Sequence, residues 1–195
     1  GLKLKASKCH LLQTSVEFLG HVVSAEGIGV NEDKIRDVIN WAVPVSVKET
    51  RGYLGLTSYY RRYVKGYSEI ASPLYALTEK NRPFVWTEKC QQAFDTLKQC
   101  LTTAPVLAMP DDESKFVLDT DASNCAIGAV LSQMQDGAER VIAYASRKLS
   151  RAEQNYCVTR RELLAVVHFV KYFRHYLLGR HFQIRTDHAA LQWLR

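Results

Sequence analysis

The chain has 195 residues, 47% hydrophobic and 24% charged, with 26 Lys and Arg against 20 Asp and Glu for a formal net charge of +6. That length holds one large or two small domains with a core that needs no disulfide or metal staple, and the apolar content excludes a disordered chain. The five cysteines, Cys9, Cys90, Cys100, Cys125 and Cys157, are odd in number and never spaced as CxxC. This argues against a disulfide framework or a structural zinc site and for a reducing compartment.

The longest apolar run, LLAVVHFV at residues 163–170, falls far short of the roughly 20 residues that cross a bilayer. The N-terminal GLKLKASKCH lacks the apolar region of a signal peptide. The expectation is an intracellular, cytoplasmic chain without a membrane partner, whose mild basic excess suits a polyanion. The chain starts without Met and stops inside an apparently helical HAALQWLR, so a piece of something longer is expected.

Residues 1–30 read as strand and turn: VEFLGHVVS carries β-formers interrupted by Gly20, and AEGIGV supplies a glycine turn. Residues 31–104 carry helical patterns, in EDKIRDVINW, SVKETRGYLGLTSYYRRYVKGY, SEIASPLYALTEK and TEKCQQAFDTLKQCL, with Pro44, Pro73 and Pro83 at the joints. In the last of these, Thr87 is expected to cap the helix, and Cys90, Ala93, Phe94, Leu97 and Leu101 recur at helical spacing. Trp41, Trp86 and Trp193 are expected in the core, and Cys9 and His10 at the surface or in packing. Residues 105–114 read as a linker.

From residue 115 the period changes to two. KFVLDTD sets Phe116, Leu118 and Thr120 on one face and Val117, Asp119 and Asp121 on the other. AIGAVLSQM, an Asp136–Gly137 turn and RVIAYAS then complete three antiparallel strands. SRAE fits a capping box that opens a helix of about 25 residues, stopped at Gly179, and HFQIRTD returns as a strand. The predicted fold class is mixed α+β: a helical subdomain followed by a β-β-β-α-β mixed sheet, with a right-handed crossover that brings Asp121 and Asp187 to adjacent strand ends.

On the long helix, positions 158, 162, 165, 166 and 169 share a face that is apolar at Val158, Ala165, Val166 and Phe169 and acidic at Glu162. A carboxylate there is costly to bury unless it meets a cation, so Asp121, Glu162 and Asp187 are read as able to converge. Three hard oxygen donors suit Mg²⁺ or Mn²⁺, and a pair of such ions roughly 3.5 to 4 Å apart serves in-line displacement at a phosphodiester. The pattern alone leaves another reading open, in which a helix-face Glu reaches solvent and strand-end Asp residues cap turns.

Three runs, FVLDTDASNCAIGAVLSQ, VIAYASRKLSRAEQNYCVTRRELLAVV and HFQIRTDHAALQWL, closely resemble the ribonuclease H domain in the polyproteins of gypsy-type LTR retrotransposons. Upstream, FLGHVVSAEGI resembles the primer-grip hairpin at the end of the reverse transcriptase palm. VKETRGYLGLTSYYRRYVKGYSEIASPLYAL, together with KIRDVINW and FVWTEKCQQAFDTLK, resembles the thumb. The resemblance implies a palm end at 1–30, a thumb at 31–104, a linker at 105–114 and a ribonuclease H-like domain at 115–195, truncated at its C-terminus. It implies catalysis and metal binding by Asp121 of TDAS, Glu162 of RREL and Asp187 of RTDH. His188 is expected to support this group rather than bind an ion. A fourth carboxylate of the family would lie downstream, and the paired polymerase aspartates upstream, which disfavours a polymerase in this chain alone. Ala126 stands where the family commonly has Gly.

The implied activity is hydrolysis of the RNA strand in RNA/DNA hybrids, as part of an RNA-directed DNA polymerase, with two Mg²⁺ or Mn²⁺ ions. Implied partners are a hybrid or template-primer duplex, the fingers and palm of the polymerase, and the downstream ribonuclease H segment. Expected nucleic-acid contacts are Phe18, Gly20 and His21 in the hairpin, Lys48, Arg51, Tyr60, Arg61, Arg62 and Lys65 among the thumb tyrosines, and Arg147 and Arg160 beside the carboxylates. The competing expectation is a catalytically incomplete or domesticated fragment that binds nucleic acid without cutting it.

Overall fold

The computed structural model describes residues 5, 9 and 11–193, the side chains of 192 and 193 excepted. His10 and the side chain of Trp193 lie outside the described residues. Strands β1 (Ser15–Phe18), β2 (His21–Ser24) and β3 (Gly27–Val30) form an antiparallel meander. Leu19 and Gly20 turn the first hairpin with φ of 49° and 77°, a left-handed pair that matches the twist of the strands it joins.

Helices α1 (Glu32–Ile39), α2 (Val47–Tyr59), α3 (Tyr67–Ile70), α4 (Ser72–Ala76) and α5 (Glu88–Thr102) follow, with a 3-10 turn at Arg61–Tyr63. Asn31 caps α1 by accepting from the Asp33 amide at 2.8 Å, and Ser46 caps α2 from the Glu49 amide at 3.2 Å. Thr87 precedes α5 as expected but caps no amide: its hydroxyl donates to Cys90 Sγ instead. Pro73 lies inside the first turn of α4, where its missing N–H costs nothing, rather than between helices. The helices close on one core built around Tyr53, whose hydroxyl donates to the Phe94 carbonyl at 3.0 Å and whose ring lies 4.6 Å from that of Phe94. The helical spacing of Cys90, Ala93, Phe94, Leu97 and Leu101 is the face that buries. Trp41 and Trp86 pack against this core partly buried, and Cys9 is exposed.

The second sheet runs β6-β5-β4-β7, from β4 (Phe116–Ala122), β5 (Ala126–Gln135), β6 (Ala138–Lys148) and β7 (Phe182–Arg185). β4 and β5, and β5 and β6, pair antiparallel; β4 and β7 pair parallel across the crossover. Asp136 and Gly137, with φ of 51° and 77°, make the expected hairpin turn. Phe116 and Leu118 face the crossover helix, while Val117 on the opposite face is also buried, so the front of β4 does not alternate cleanly.

The single helix expected after Ser150 is three: α6 (Arg151–Gln154), α7 (Val158–Tyr172) and α8 (Arg174–Leu177). Asn155 ends α6 and Cys157, extended at φ −63° and ψ 160°, restarts the chain as the cap of α7. This re-aims the helix so that Ala165 and Phe169 bury against the sheet while Val158 is left half exposed, against expectation. The break at Phe173 lets Phe173 and Leu177 both reach the same core, and Gly179 at φ 76° closes the run.

The two cores are joined. Arg61 donates to the Ser146 carbonyl and to Ser68 Oγ, and the Ser68 amide donates to Ser146 Oγ at 2.9 Å. These bonds cover β6, which stands at the edge of its sheet and would otherwise expose unpaired backbone groups. Leu107, in the segment expected as a linker, is fully buried and exchanges both backbone hydrogen bonds with Ile28, and the Ala108 amide donates to Val141. The segment ties the two sheets together rather than tethering them. Among the described residues no helix is long and apolar enough to cross a membrane.

The capping box at Ser150 and Glu153 is formed and reinforced by Arg147, which donates to Glu153 at 2.9 Å and 3.2 Å. These donors hold the Glu153 carboxyl far below its ordinary value of 4.5, at about 2. Because the folded pKa lies below the unfolded one, this stability is complete above the ordinary carboxylate range and is lost as pH falls toward about 2. Glu153→Gln is therefore expected to cost about 1 kcal/mol at neutral pH, a few degrees in melting temperature. Circular dichroism melts should show the gap to the unmodified chain closing under acid; a gap constant down to pH ~2 would count against the pairing.

Candidate active site

Asp121 is placed by β4, near the strand's end and opposite Gly128 of β5. Asp187 follows β7 by two residues, and because β4 and β7 run parallel both aspartates arrive at the same edge. Glu162 comes from the second turn of α7, which packs against β4 and β5. Each of the three offers one carboxylate oxygen, and these oxygens lie within 4.8 Å of one another. The convergence expected from the pattern is the arrangement observed.

Burial differs across the group. Asp121 and Asp187 are exposed, whereas Glu162 is only 4% exposed. Its Oε1 accepts the Ala122 amide at 3.2 Å, and its Oε2 is buried without a partner. Desolvation, then the charges of Asp121 and Asp187, push the Glu162 carboxyl above its ordinary range, against the pull of the Ala122 amide and of His188. Such an oxygen, costly to leave unpaired, is matched to a cation among three hard donors.

The other expected site residues divide by what their side chains already hold. Phe18 is exposed at the hairpin tip, and Gly20 supplies its turn. His21 stacks between the rings of Tyr59 and Tyr63, at 5.4 Å and 5.8 Å, with Nδ1 3.0 Å from the Tyr63 hydroxyl. Burial and the Arg62 charge favour its neutral form. Tyr60 is buried and donates to the Gly20 carbonyl at 3.0 Å, so it fastens the hairpin from inside. Arg61 and Arg147 are taken up by Ser146 and Glu153, and Arg62 points to the Ile142 carbonyl. Arg51 donates to the Thr78 carbonyl at 3.0 Å. Lys48, Lys65 and Arg160 are exposed, the last stacked 4.1 Å over the ring of Tyr156. The basic residues expected as one set are thus partly structural.

A network that the sequence reading missed stands behind Asp187. Arg185 of β7 binds Asp119 of β4 through two contacts of 2.6 Å and Glu139 of β6 at 2.6 Å and 3.0 Å, and Ser132 of β5 donates to Glu139 at 2.7 Å. One guanidinium thereby links charges across the whole sheet; the carboxylates raise its pKa, and it lowers that of Glu139. The signal available in the sequence was the Arg185 and Asp187 alternation in HFQIRTD, once β7 is paired beside β4.

A mixed sheet with one parallel crossover, gathering two carboxylates at adjacent strand ends and a third from the crossover helix, defines an RNase H-like domain. The model of the RNase H-like domain found in reverse transcriptase matches residues 86–184, and the chain belongs to that family. It is 45% identical over 195 residues to the retrovirus-related Pol polyprotein from transposon 297 of Drosophila melanogaster, covering 99% of this chain and 18% of that protein. It is 38% identical over 193 residues to the transposon Tf2-3 polyprotein of Schizosaccharomyces pombe, covering 97% of this chain and 14% of that protein. The chain therefore spans less than a fifth of the length of these relatives. Among solved structures, the foamy viral protease-reverse transcriptase in complex with RNA/DNA hybrid matches with a TM-score of 0.83 at 26% identity, covering 96% of this chain and 26% of that one. The resemblance to gypsy-type retroelement reverse transcriptases, and the α+β fold it implied, hold.

The raised pKa of Glu162 carries a cost to folding. A folded pKa above the unfolded one means that stability falls as pH climbs through the raised value. Glu162→Gln, which cannot ionise, is therefore expected to be more stable than the unmodified chain in EDTA at neutral pH, by about 1 kcal/mol or a few degrees. Thermal melts should show the gain shrinking below the ordinary carboxylate range; a loss of stability at neutral pH would show that the cluster is not strained by its charges.

Proposed function

We propose that this chain is the thumb and ribonuclease H part of a gypsy-type reverse transcriptase, with a metal-dependent activity that hydrolyses the RNA strand of RNA/DNA hybrids. The observation that carries the reading is the three-carboxylate cluster with its buried, unpartnered Glu162 oxygen. A divalent ion, Mg²⁺ or Mn²⁺, supplies a nucleophilic water and neutralises charge at a phosphodiester. Asp121, Glu162 and Asp187 would hold it, and the resemblance implies a second ion beside the first. Asp121 and Asp187, being exposed, face the side from which a phosphate arrives, while the buried Glu162 fixes the depth of the site.

In this reading residues 1–30 end the palm, 31–104 are the thumb, 105–114 the joint and 115–195 the ribonuclease H-like domain. The hairpin tip at Phe18 and the exposed Lys48, Lys65 and Arg160 are the groups left to meet a sugar-phosphate backbone. His21, Tyr60, Arg61, Arg62 and Arg147 act by holding the hairpin, the helical core and the cap of α6 in place beside those groups. Support for a hybrid substrate comes from the foamy viral relative, whose structure contains one.

The test is cleavage of a labelled RNA/DNA hybrid by this chain with Mg²⁺ or Mn²⁺, against Asp121→Asn and Asp187→Asn. Each variant is expected to lose roughly a hundredfold or more, since charge stabilisation by an ion is worth several kcal/mol. Salt-dependent binding of the hybrid without cleavage under either metal would replace this reading with that of a binding fragment.

A further inference from the structure

Both aspartates stand where the sheet has little hold on them. The ladder between β4 and β7 ends at the pair Asp119 and Arg185, so no strand hydrogen bond fixes Asp187, and Asp121 is paired only on its β5 side. Three like charges so placed repel one another, and the end of β4 and the segment after β7 would spread from α7 unless something else held them.

The first turns of α7 make two such ties. Thr159 lies three residues before Glu162, on the same side of the helix, and its Oγ1 is 2.8 Å from Nε2 of His188, the residue after Asp187. The His188 amide also donates to Thr186 Oγ1 at 3.2 Å, so the segment around Asp187 is folded onto that contact. Arg161, the residue before Glu162, is only 9% exposed. Its Nη1 donates to the Ser123 carbonyl at 3.3 Å and to Asn124 Oδ1 at 2.6 Å, in the turn that follows Asp121. Buried and committed to that turn, Arg161 is not placed like its exposed neighbour Arg160.

We propose that Thr159 and Arg161 are positioning residues that hold Asp187 and Asp121 within reach of Glu162, so that one stretch of α7 sets the separation of all three carboxylates. The proposal rests on the metal-binding reading above. Groups that hydrogen-bond a metal ligand typically contribute tenfold to a hundredfold in metal affinity; Thr159 and Arg161 hold residues beside the ligands, so the lower end of that range is expected.

Mn²⁺ binding to the full 195-residue chain, followed by electron paramagnetic resonance without nucleic acid, separates the possibilities. Thr159→Val keeps the shape and removes the hydroxyl; it is expected to weaken Mn²⁺ roughly tenfold, with Thr159→Ser restoring it and metal-free melting temperatures unchanged. Arg161→Met is expected to weaken Mn²⁺ comparably, and Thr159→Val decides the matter should that variant not fold. If the unmodified chain binds Mn²⁺ and Thr159→Val binds it within twofold, the positioning role is overturned while the metal reading stands. If the unmodified chain binds no Mn²⁺, the metal reading falls and this proposal with it.

Discussion

The mutual repulsion of Asp121, Glu162 and Asp187 is the constraint to which the rest of the ribonuclease H-like fold answers. Carboxylate oxygens within 4.8 Å of one another, one of them buried, are held together against both Coulomb repulsion and desolvation. Local structure cannot do this, because the three residues are far apart in the chain. It requires a parallel strand pair to bring two of them to one edge and a crossover helix to deliver the third. The packing of Phe116, Leu118, Ala165 and Phe169 supplies that geometry, and apolar burial there offsets what the site costs. Stability is given up at the carboxylates and recovered in the core beneath them, a division common at sites built for function.

A second constraint of charge acts on β7 through the guanidinium of Arg185. β7 is a short strand of four residues at the sheet edge, with few ladder bonds to resist sliding. Its charge contacts to Asp119 and Glu139 reach across β4, β5 and β6, and a register slip would break all of them at once. Removing one partner of so dense a network leaves charges half buried and unpaired, so the network acts on register more than on net stability. The helical core is joined to this sheet through β6, at Arg61, Ser68 and Ser146, and through Leu107. The helical core with its exposed Lys48 and Lys65 and the carboxylate cluster are thereby held in a fixed relation.

Legibility followed the range of the interactions. The Asp136–Gly137 turn, the capping box at Ser150 and the stop at Gly179 depend on neighbours in sequence, and each is read from a few residues. The carboxylate triad was legible because a charge on an apolar helix face demands a partner, and the family resemblance pointed to the same three residues. The breaks at residues 155–157 and 173 were not legible, since the helical pattern continues through them and only the distance to the sheet requires a change of direction. Which basic residues of the helical segment are held by the protein and which are left exposed was not legible for a related reason. Arg61 and Lys65 are alike in composition, but Arg61 happens to face β6 and Lys65 faces water, a difference fixed by packing between units 80 or so residues apart.

That distinction bears on how α7 is read. RREL places two arginines beside the acidic residue, and in sequence both look equally suited to a phosphate. A helix turns about 100° per residue, so adjacent side chains cannot share an environment. Arg160 is swung to solvent over Tyr156, and Arg161 is turned into the protein toward the segment that bears Asp121. A charge turned inward beside a carboxylate cluster has less to offer a substrate than a charge turned outward, and more to offer the geometry of the cluster itself. The three successive positions Arg160, Arg161 and Glu162 are thus suited to three different tasks because the helix presents them in three directions.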